Sequence, residues 1–70
     1  MNRTEFKVKL VLLGKTNRDV IRELKERGIT VDECRFSRAI GEVVSHPFER
    51  RVKAEAEKIV TEWEAQAKGA

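Results

Sequence analysis

Arg35, Ser37 and Arg38 are the residues of this 70-residue chain whose types and spacing best suit chemistry. An arginine guanidinium donates two parallel hydrogen bonds to guanine, and a serine hydroxyl reaches bases or phosphates. In a helix, these side chains lie on the side that the apolar residues Phe36 and Ile40 leave free. The pattern indicates hydrogen bonding to nucleic acid. A solvated helix surface carries the same residue types, so the position of this helix in the fold decides between the two interpretations.

Cys34 and His46, the only cysteine and the only histidine, are the candidates for nucleophilic catalysis. Such catalysis needs a base in contact with the thiol, a third orienting group and a pocket. So short a chain leaves little room for these. We expect Cys34 to be partly buried at a helix start and His46 to lie near a helix cap. We expect no enzyme activity, no small-molecule substrate, no cofactor and no metal, since no Cys/His cluster is present.

The segment Gly14-Lys15-Thr16 resembles the end of a phosphate-binding loop. The complete motif requires another glycine five residues before Gly14, where this chain has Lys9. We therefore interpret Gly14 as a turn residue and Thr16 as a helix cap.

Two capped helices joined by a glycine-containing turn are predicted within residues 16–42. The first runs from Thr16 to Arg27, with Asp19 placed to complete a capping box and Gly28 in the position of a C-terminal cap. The second begins after a cap at Thr30 or Asp32. Its apolar stripe has the spacing i, i+3, i+4, i+7 and consists of Phe36, Ala39, Ile40 and Val43. This arrangement is typical of a helix-turn-helix, in which the second helix lies in the major groove of DNA.

The segment of residues 2–14 fits two interpretations. Phe6, Leu10 and Leu13 have helical spacing, whereas alternation of Phe6, Val8, Leu10 and Leu12 with Lys7 and Lys9 is a strand pattern. We favour a helix, because the following helix needs a packing partner and no second strand has a clear pattern.

A long amphipathic helix is predicted over residues 47–68, with Pro47 in its first turn. Its apolar stripe comprises Phe48, Val52, Ala56, Ile59, Val60, Trp63 and Ala67. The stripe is longer than three short helices easily cover, so we expect a homodimer with an interface at Ile59, Val60 and Trp63. Burial of the stripe within the monomer is the alternative.

Charge and composition limit the classes of protein to which the chain can belong. Apolar residues make up 40% of the chain and charged residues 39%, which excludes a disordered tail and implies a wet surface. The net charge of +3 is unevenly distributed, with +4 in residues 1–38 and −1 in residues 39–70. A basic surplus beside a helix-turn-helix favours binding to phosphates. No apolar run is long enough for a membrane span or a signal peptide, so we expect a complete, soluble, cytoplasmic protein without membrane partners.

Two short stretches carry a resemblance to a known family. Residues 15–21, Lys-Thr-Asn-Arg-Asp-Val-Ile, look like the start of the bracing helix in lambda-repressor-like (Cro/XRE-type) regulators. Residues 36–40, Phe-Ser-Arg-Ala-Ile, look like their recognition helix. The layout is similar to short phage and prophage regulators over about residues 6–45. The chain departs from the family at residues 28–33, where its turn is longer, and at Asn17, where glutamine is usual.

The resemblance implies a bacterial or phage-infected cell, with Arg18 near the DNA backbone and Arg35, Ser37 and Arg38 facing the groove. We therefore predict a single all-α domain spanning residues 1–70, with about four helices, that acts as a sequence-specific transcriptional regulator. It would be a phage-type repressor, dimeric on a palindromic site in double-stranded DNA. The predicted DNA-binding residues are Lys15, Thr16, Asn17, Arg18, Arg35, Ser37 and Arg38. The alternative is a protein-interaction module, such as an anti-repressor or small inhibitor, that uses the C-terminal helix.

Overall fold

The computed structural model describes residues 2–41 and 46–69 and confirms the predicted all-α fold. Within those residues there are four helices and no strand. They are α1 (Arg3–Leu13), α2 (Asn17–Glu26), α3 (Glu33–Ala39) and α4 (Pro47–Lys68). The long helix α4 packs against each of the other three, so it is the element around which the domain is built.

Helix α1 settles the helix-or-strand alternative at the N-terminus. The side chain of Asn2 accepts a hydrogen bond from the backbone N–H of Glu5 at 2.8 Å and caps the helix. Phe6 and Leu10, one helical turn apart, are buried. The helix ends at Gly14, whose φ of 68° lies in the left-handed region that glycine adopts readily. The i, i+4 spacing of the two buried residues therefore decides the conformation of this segment.

Helix α2 has the predicted caps. Thr16 and Asp19 form a reciprocal capping box, in which each side chain bonds the backbone N–H of the other residue. At the other end, Gly28 has a φ of 89°. The backbone N–H of the buried residue Ile29 then donates to the carbonyl oxygen of Leu24 at 2.8 Å, which stops the helix.

Helix α3 is short and is capped by Asp32, one of the two predicted caps. Its carboxylate accepts a hydrogen bond from the backbone N–H of Arg35 at 2.7 Å. Phe36, Ala39 and Ile40 are buried as predicted, and α3 packs against α2 across the connection of residues 27–32. Glu42, the predicted end of the helix-turn-helix segment, and Val43, the last residue of the predicted stripe, lie outside the described residues.

Helix α4 has the predicted bounds, with Pro47 in its first turn. The Nδ1 atom of His46 accepts a hydrogen bond from the backbone N–H of Phe48 at 3.2 Å, so this histidine is the N-cap. The 22 residues of α4 extend for about 33 Å at 1.5 Å per residue.

The core is a single apolar cluster to which all four helices contribute. At its centre the rings of Phe6 and Phe36 meet edge to face, with their centroids 5.9 Å apart. The buried residues of α4 are Val52, Ala56, Ile59 and Val60.

The predicted dimer interface on α4 is wrong at two of its three residues. Ile59 and Val60 are 0% exposed, because they pack into the apolar core of their own chain. Only Trp63 keeps part of its surface, and it packs against the edge of the same core. The apolar stripe of α4 is therefore covered mainly within the monomer, which was the alternative.

Candidate nucleic-acid interface

The exposed side of α3 carries the three residues with the strongest predicted role. Arg35, Ser37 and Arg38 are exposed, because the apolar residues of the same helix face the core. We call these three residues the α3 face. Because the apolar side of this short helix is buried, the face presents to solvent side chains of the types that contact base edges and phosphates.

Two cations from other helices bind the C-terminal end of α3. The Nη2 atom of Arg3 donates a hydrogen bond to the backbone oxygen of Ser37 at 2.9 Å. The ammonium of Lys53 donates to the backbone oxygen of Gly41 at 3.1 Å. Positive charge at this position is favourable, because the free carbonyl groups of a helix C-terminus carry partial negative charge. Cations from α1 and α4 thus lie at the edge of the α3 face.

Sequence reasoning missed Arg3 and Lys53. Arg3 is 34 residues from Ser37 and Lys53 is 12 residues from Gly41. These pairings arise only from the packing of α1 and α4 around α3. The basic surplus of the first half of the chain was the one general signal for Arg3.

Arg35 is attached to the start of α4. Its guanidinium lies over the ring of Phe48, with the central carbon 4.6 Å from the ring centroid. Such cation–π contacts at exposed sites are worth about 0.5–1 kcal/mol. The contact orients Arg35 towards the N-terminal turn of α4, where Arg50 and Arg51 follow in the sequence.

Arg18 and Glu33 connect the first turns of α2 and α3. The Nε atom of Arg18 donates to Oε1 of Glu33 at 2.8 Å, and both side chains are largely exposed. The hydrogen bond from this guanidinium to Glu33, reinforced by the attraction between the two charges, raises the pKa of Arg18. The pair neutralises an acid at the beginning of α3, where a carboxylate would otherwise repel an approaching phosphate.

Thr16 and Asn17 lie at the N-terminus of α2, where Thr16 caps the helix. The hydroxyl of Thr16 donates to a carboxylate oxygen of Asp19 at 3.1 Å. The backbone N–H of Thr16, and then its hydroxyl, lower the pKa of Asp19. Asn17 is the partly buried first residue of α2.

Lys15 is separated from the α3 face. Its ammonium lies over the ring of Trp63, 5.1 Å from the centroid. Phe48, the partner of Arg35, and Trp63 are 15 residues apart on α4, which corresponds to about 22 Å along the helix axis. The structure therefore divides the predicted set into two groups, with Lys15 near one end of α4 and Arg35 near the other.

An open groove lies between α2 and the start of α3. Three cations follow it along α2 at the spacing i, i+4, i+7, namely Arg18, Arg22 and Lys25. Sequence reasoning overlooked Arg22 and Lys25, although their helical spacing from Arg18 was a usable signal. Cys34 also lines this groove and is exposed, which corrects the expectation that it is partly buried.

The core of the described part of the chain is apolar throughout, with no buried polar or charged residue. Within residues 2–41 and 46–69, no three potential metal ligands come together. In the same residues, no helix has the length and apolar character needed to cross a membrane.

Comparison with protein-family models, with curated proteins and with solved structures finds no match to this chain. A functional proposal therefore rests on the fold and on the chemistry of its surface.

Proposed function

We propose that this protein binds double-stranded DNA through the α3 face and acts as a transcriptional regulator of the helix-turn-helix type. The observation that carries the proposal is the exposed placement of Arg35 and Arg38 on α3, with Arg3 and Lys53 at the edge of the same face. Arginine and lysine supply both bidentate contacts to guanine and neutralising contacts to phosphate.

The proposed mechanism is occupancy of an operator. Arg38, on the outer side of α3, reads a base edge, and Ser37 contacts a base or a phosphate. Arg35 leaves the ring of Phe48 to join them, which requires only a weak contact to be broken. Lys15 lies too far from this face to read the same bases, so its role is a phosphate contact. Arg18 contributes in the same way once it releases Glu33.

The resemblance to Cro/XRE-type regulators supports this assignment and adds finer expectations. We expect a repressor of phage type in the cytoplasm of a bacterial or phage-infected cell. We expect it to bind a palindromic operator as a dimer. Two recognition helices would then reach successive major grooves, about 34 Å apart.

The test is fluorescence anisotropy of labelled duplex DNA over a salt series. We expect log K to fall steeply with log salt, because each neutralised phosphate releases counterions. The variant Arg38→Ala is compared with Lys58→Ala, which removes the same charge from an exposed position of α4. We expect Arg38→Ala to weaken binding much more than Lys58→Ala. Absence of any binding at about 50 mM salt would overturn the proposal.

A second candidate function is supported by one observation. Val8, Val11 and Leu12 are exposed on α1, and exposed apolar side chains on one helix face are typical of protein–protein contacts. An anti-repressor or small inhibitor would use such a surface. The sequence pattern placed the contact surface of such a protein on the apolar stripe of α4. Because that stripe is mostly buried, α1 is the better surface.

A further inference from the structure

The open groove between α2 and the start of α3 has an apolar floor. Ile21 of α2 and Val31 of the following connection form this floor, and the thiol of Cys34 lies beside them. The volume of the groove is about 930 Å³, near the top of the range of about 300–1,000 Å³ that ligand pockets occupy. Because the groove is open rather than enclosed, a segment of polypeptide fits it better than a small molecule does. We call it the α2–α3 groove.

The rim of the α2–α3 groove that α2 forms is positively charged. Arg22 and Lys25 are exposed on this rim, three residues apart and therefore on the same face of the helix. Arg22 approaches the carboxylate of Asp19 only to 4.0 Å. Lys25 forms no ion pair within residues 2–41 and 46–69. Both cations are therefore available to a ligand.

The two carboxylates on the opposite rim already have hydrogen-bond partners. The carboxylate of Asp32 accepts from the backbone N–H of Arg35 at 2.7 Å. Glu33 accepts from the Nε atom of Arg18 at 2.8 Å, and this guanidinium offsets its charge. The groove thus has positive charge along α2, an apolar floor and no free cation beside α3, so it fits a ligand whose acidic groups lie on one side only.

We propose that the α2–α3 groove binds an acidic amphipathic helix of another protein. The apolar side chains of that helix lie on Ile21 and Val31, in the way that amphipathic helices occupy hydrophobic grooves. Its carboxylates, repeated one turn apart along one flank, pair with Arg22 and Lys25, which have the same spacing.

Duplex DNA matches this groove less well than an acidic helix does. A phosphate backbone gains nothing from the apolar floor at Ile21 and Val31. Its uniform negative charge would also meet the carboxylates of Asp32 and Glu33 across the groove. A helix can instead place its carboxylates beside α2 alone. The proposal therefore assigns the groove to a protein partner, and it does not depend on the DNA binding proposed for the α3 face.

Fluorescence anisotropy of a labelled peptide measures the interaction. The probe is a peptide of about 16 residues made of glutamate, leucine, alanine and glutamine, which is long enough to form a helix in water. Its leucines repeat at i, i+3, i+4 and i+7, and its glutamates follow one flank of that stripe. We expect reversible binding in the micromolar range that weakens as salt is added. A peptide with glutamines in place of the leucines should bind far less, because the apolar contact is lost.

Charge reversal on α2 tests the location of the binding site. Arg22→Glu and Lys25→Glu should each weaken binding about tenfold or more, since each replaces attraction by repulsion. Lys58→Glu makes the same change at an exposed position of α4, and it should change the affinity by less than about twofold. Circular dichroism confirms that the three variants fold.

Cys34 reports directly whether the groove is occupied. It is the only cysteine of the chain, it is exposed and it lines the groove. A bound helix covers the thiol, so saturating peptide should slow its alkylation by iodoacetamide severalfold. This reagent is neutral, and charge changes on α2 therefore have little direct effect on its rate. Peptide binding that leaves the alkylation rate unchanged would overturn the assignment to this groove.

An exchange of charge between the partners separates contact from loss of stability. A peptide with lysines in place of its glutamates should bind the double variant Arg22→Glu, Lys25→Glu better than it binds the unmodified chain. Failure of the acidic peptide to bind at about 1 mM chain overturns the proposal, as does binding that Lys58→Glu weakens as much as Arg22→Glu does.

DNA is the competing occupant, and the same variants identify it. A duplex that binds where the peptide does not, with an affinity that Arg22→Glu and Lys25→Glu reduce, assigns the groove to nucleic acid and overturns the proposal. Anisotropy of the duplex with Arg38→Ala reports the α3 face separately. Failure of the peptide site is therefore distinguished from failure of the proposed function.

Discussion

Arg3 donates a hydrogen bond from its guanidinium to the backbone oxygen of Ser37, at 2.9 Å and across 34 residues of sequence. The contact joins the N-terminal turn of α1 to the last turn of α3. It satisfies a carbonyl group at the end of a short helix and places a cation at the edge of the α3 face. One side chain thus contributes both to the position of α3 and to its charge.

Replacement of Arg3 by alanine should affect both properties. We expect the free energy of unfolding to fall by about 1 kcal/mol, the typical net value of one hydrogen bond. Binding to all DNA sequences should weaken, because a cation is lost from the interface. Hydrogen exchange at the C-terminal end of α3 should become faster, and NMR measures this directly. Arg3→Lys should keep much of the DNA affinity, since it keeps the charge. Equal losses of affinity for the alanine and lysine variants would contradict the electrostatic part of this prediction.

Arg38 and Lys15 should differ in what they contribute to binding. Arg38→Ala should cost about 1–3 kcal/mol at a preferred site and relax the preference for that sequence. Lys15→Ala should weaken binding to all sequences by a similar factor and lower the salt slope by about 1. Anisotropy with preferred and random duplexes at several salt concentrations separates the two effects. If Arg38→Ala leaves the preference intact, the assignment of α3 as the reading helix is wrong.

Glu33 should limit non-specific binding. Glu33→Gln removes a carboxylate from the start of α3 and releases Arg18 from its ion pair. We therefore expect tighter binding to random DNA and a larger salt slope than in the unmodified chain. Glu26→Gln is the matched control, because it makes the same change at the exposed C-terminal end of α2. Equal effects of the two substitutions would show that only net charge matters.

The capping box of α2 should make the free energy of unfolding depend on pH in the acid range. Hydrogen bonds from Thr16 hold the pKa of Asp19 below its ordinary value. Because that pKa is lower in the folded chain, the carboxylate contributes its full stability above the unfolded value of about 3.9. The contribution is lost as the pH falls through the folded-state pKa. Thr16→Ala should cost about 1 kcal/mol at neutral pH. Thermal unfolding of Asp19→Asn between pH 2 and pH 7 should show a smaller loss in acid than the unmodified chain, and an identical loss would contradict this role.

Local signals in the sequence predicted most of the fold. The capping residues Thr16 and Asp19, the glycine at residue 28 and the proline at residue 47 act within one or two turns of themselves. For that reason their effects were predictable without knowledge of packing. The N-terminal segment was ambiguous because Val8 and Leu12 made it alternate like a strand. They do so because they belong to a second apolar face of α1, which points to solvent.

Contacts between helices could not be predicted from sequence patterns. The hydrogen bond of Lys53 with Gly41 and the ion pair of Arg18 with Glu33 depend on how helices are oriented. The predicted interface at Ile59 and Val60 was wrong because three short helices proved sufficient to cover the stripe of α4. The exposed apolar surface is on α1 instead.

DNA binding through the α3 face is tested most directly by an NMR titration of the labelled chain with a short DNA duplex at low salt. We expect the largest backbone amide shifts at Arg35, Ser37 and Arg38, with smaller shifts at Arg3 and Lys53. Spectra that do not change, or shifts confined to Val8, Val11 and Leu12 of α1, would contradict binding through this face.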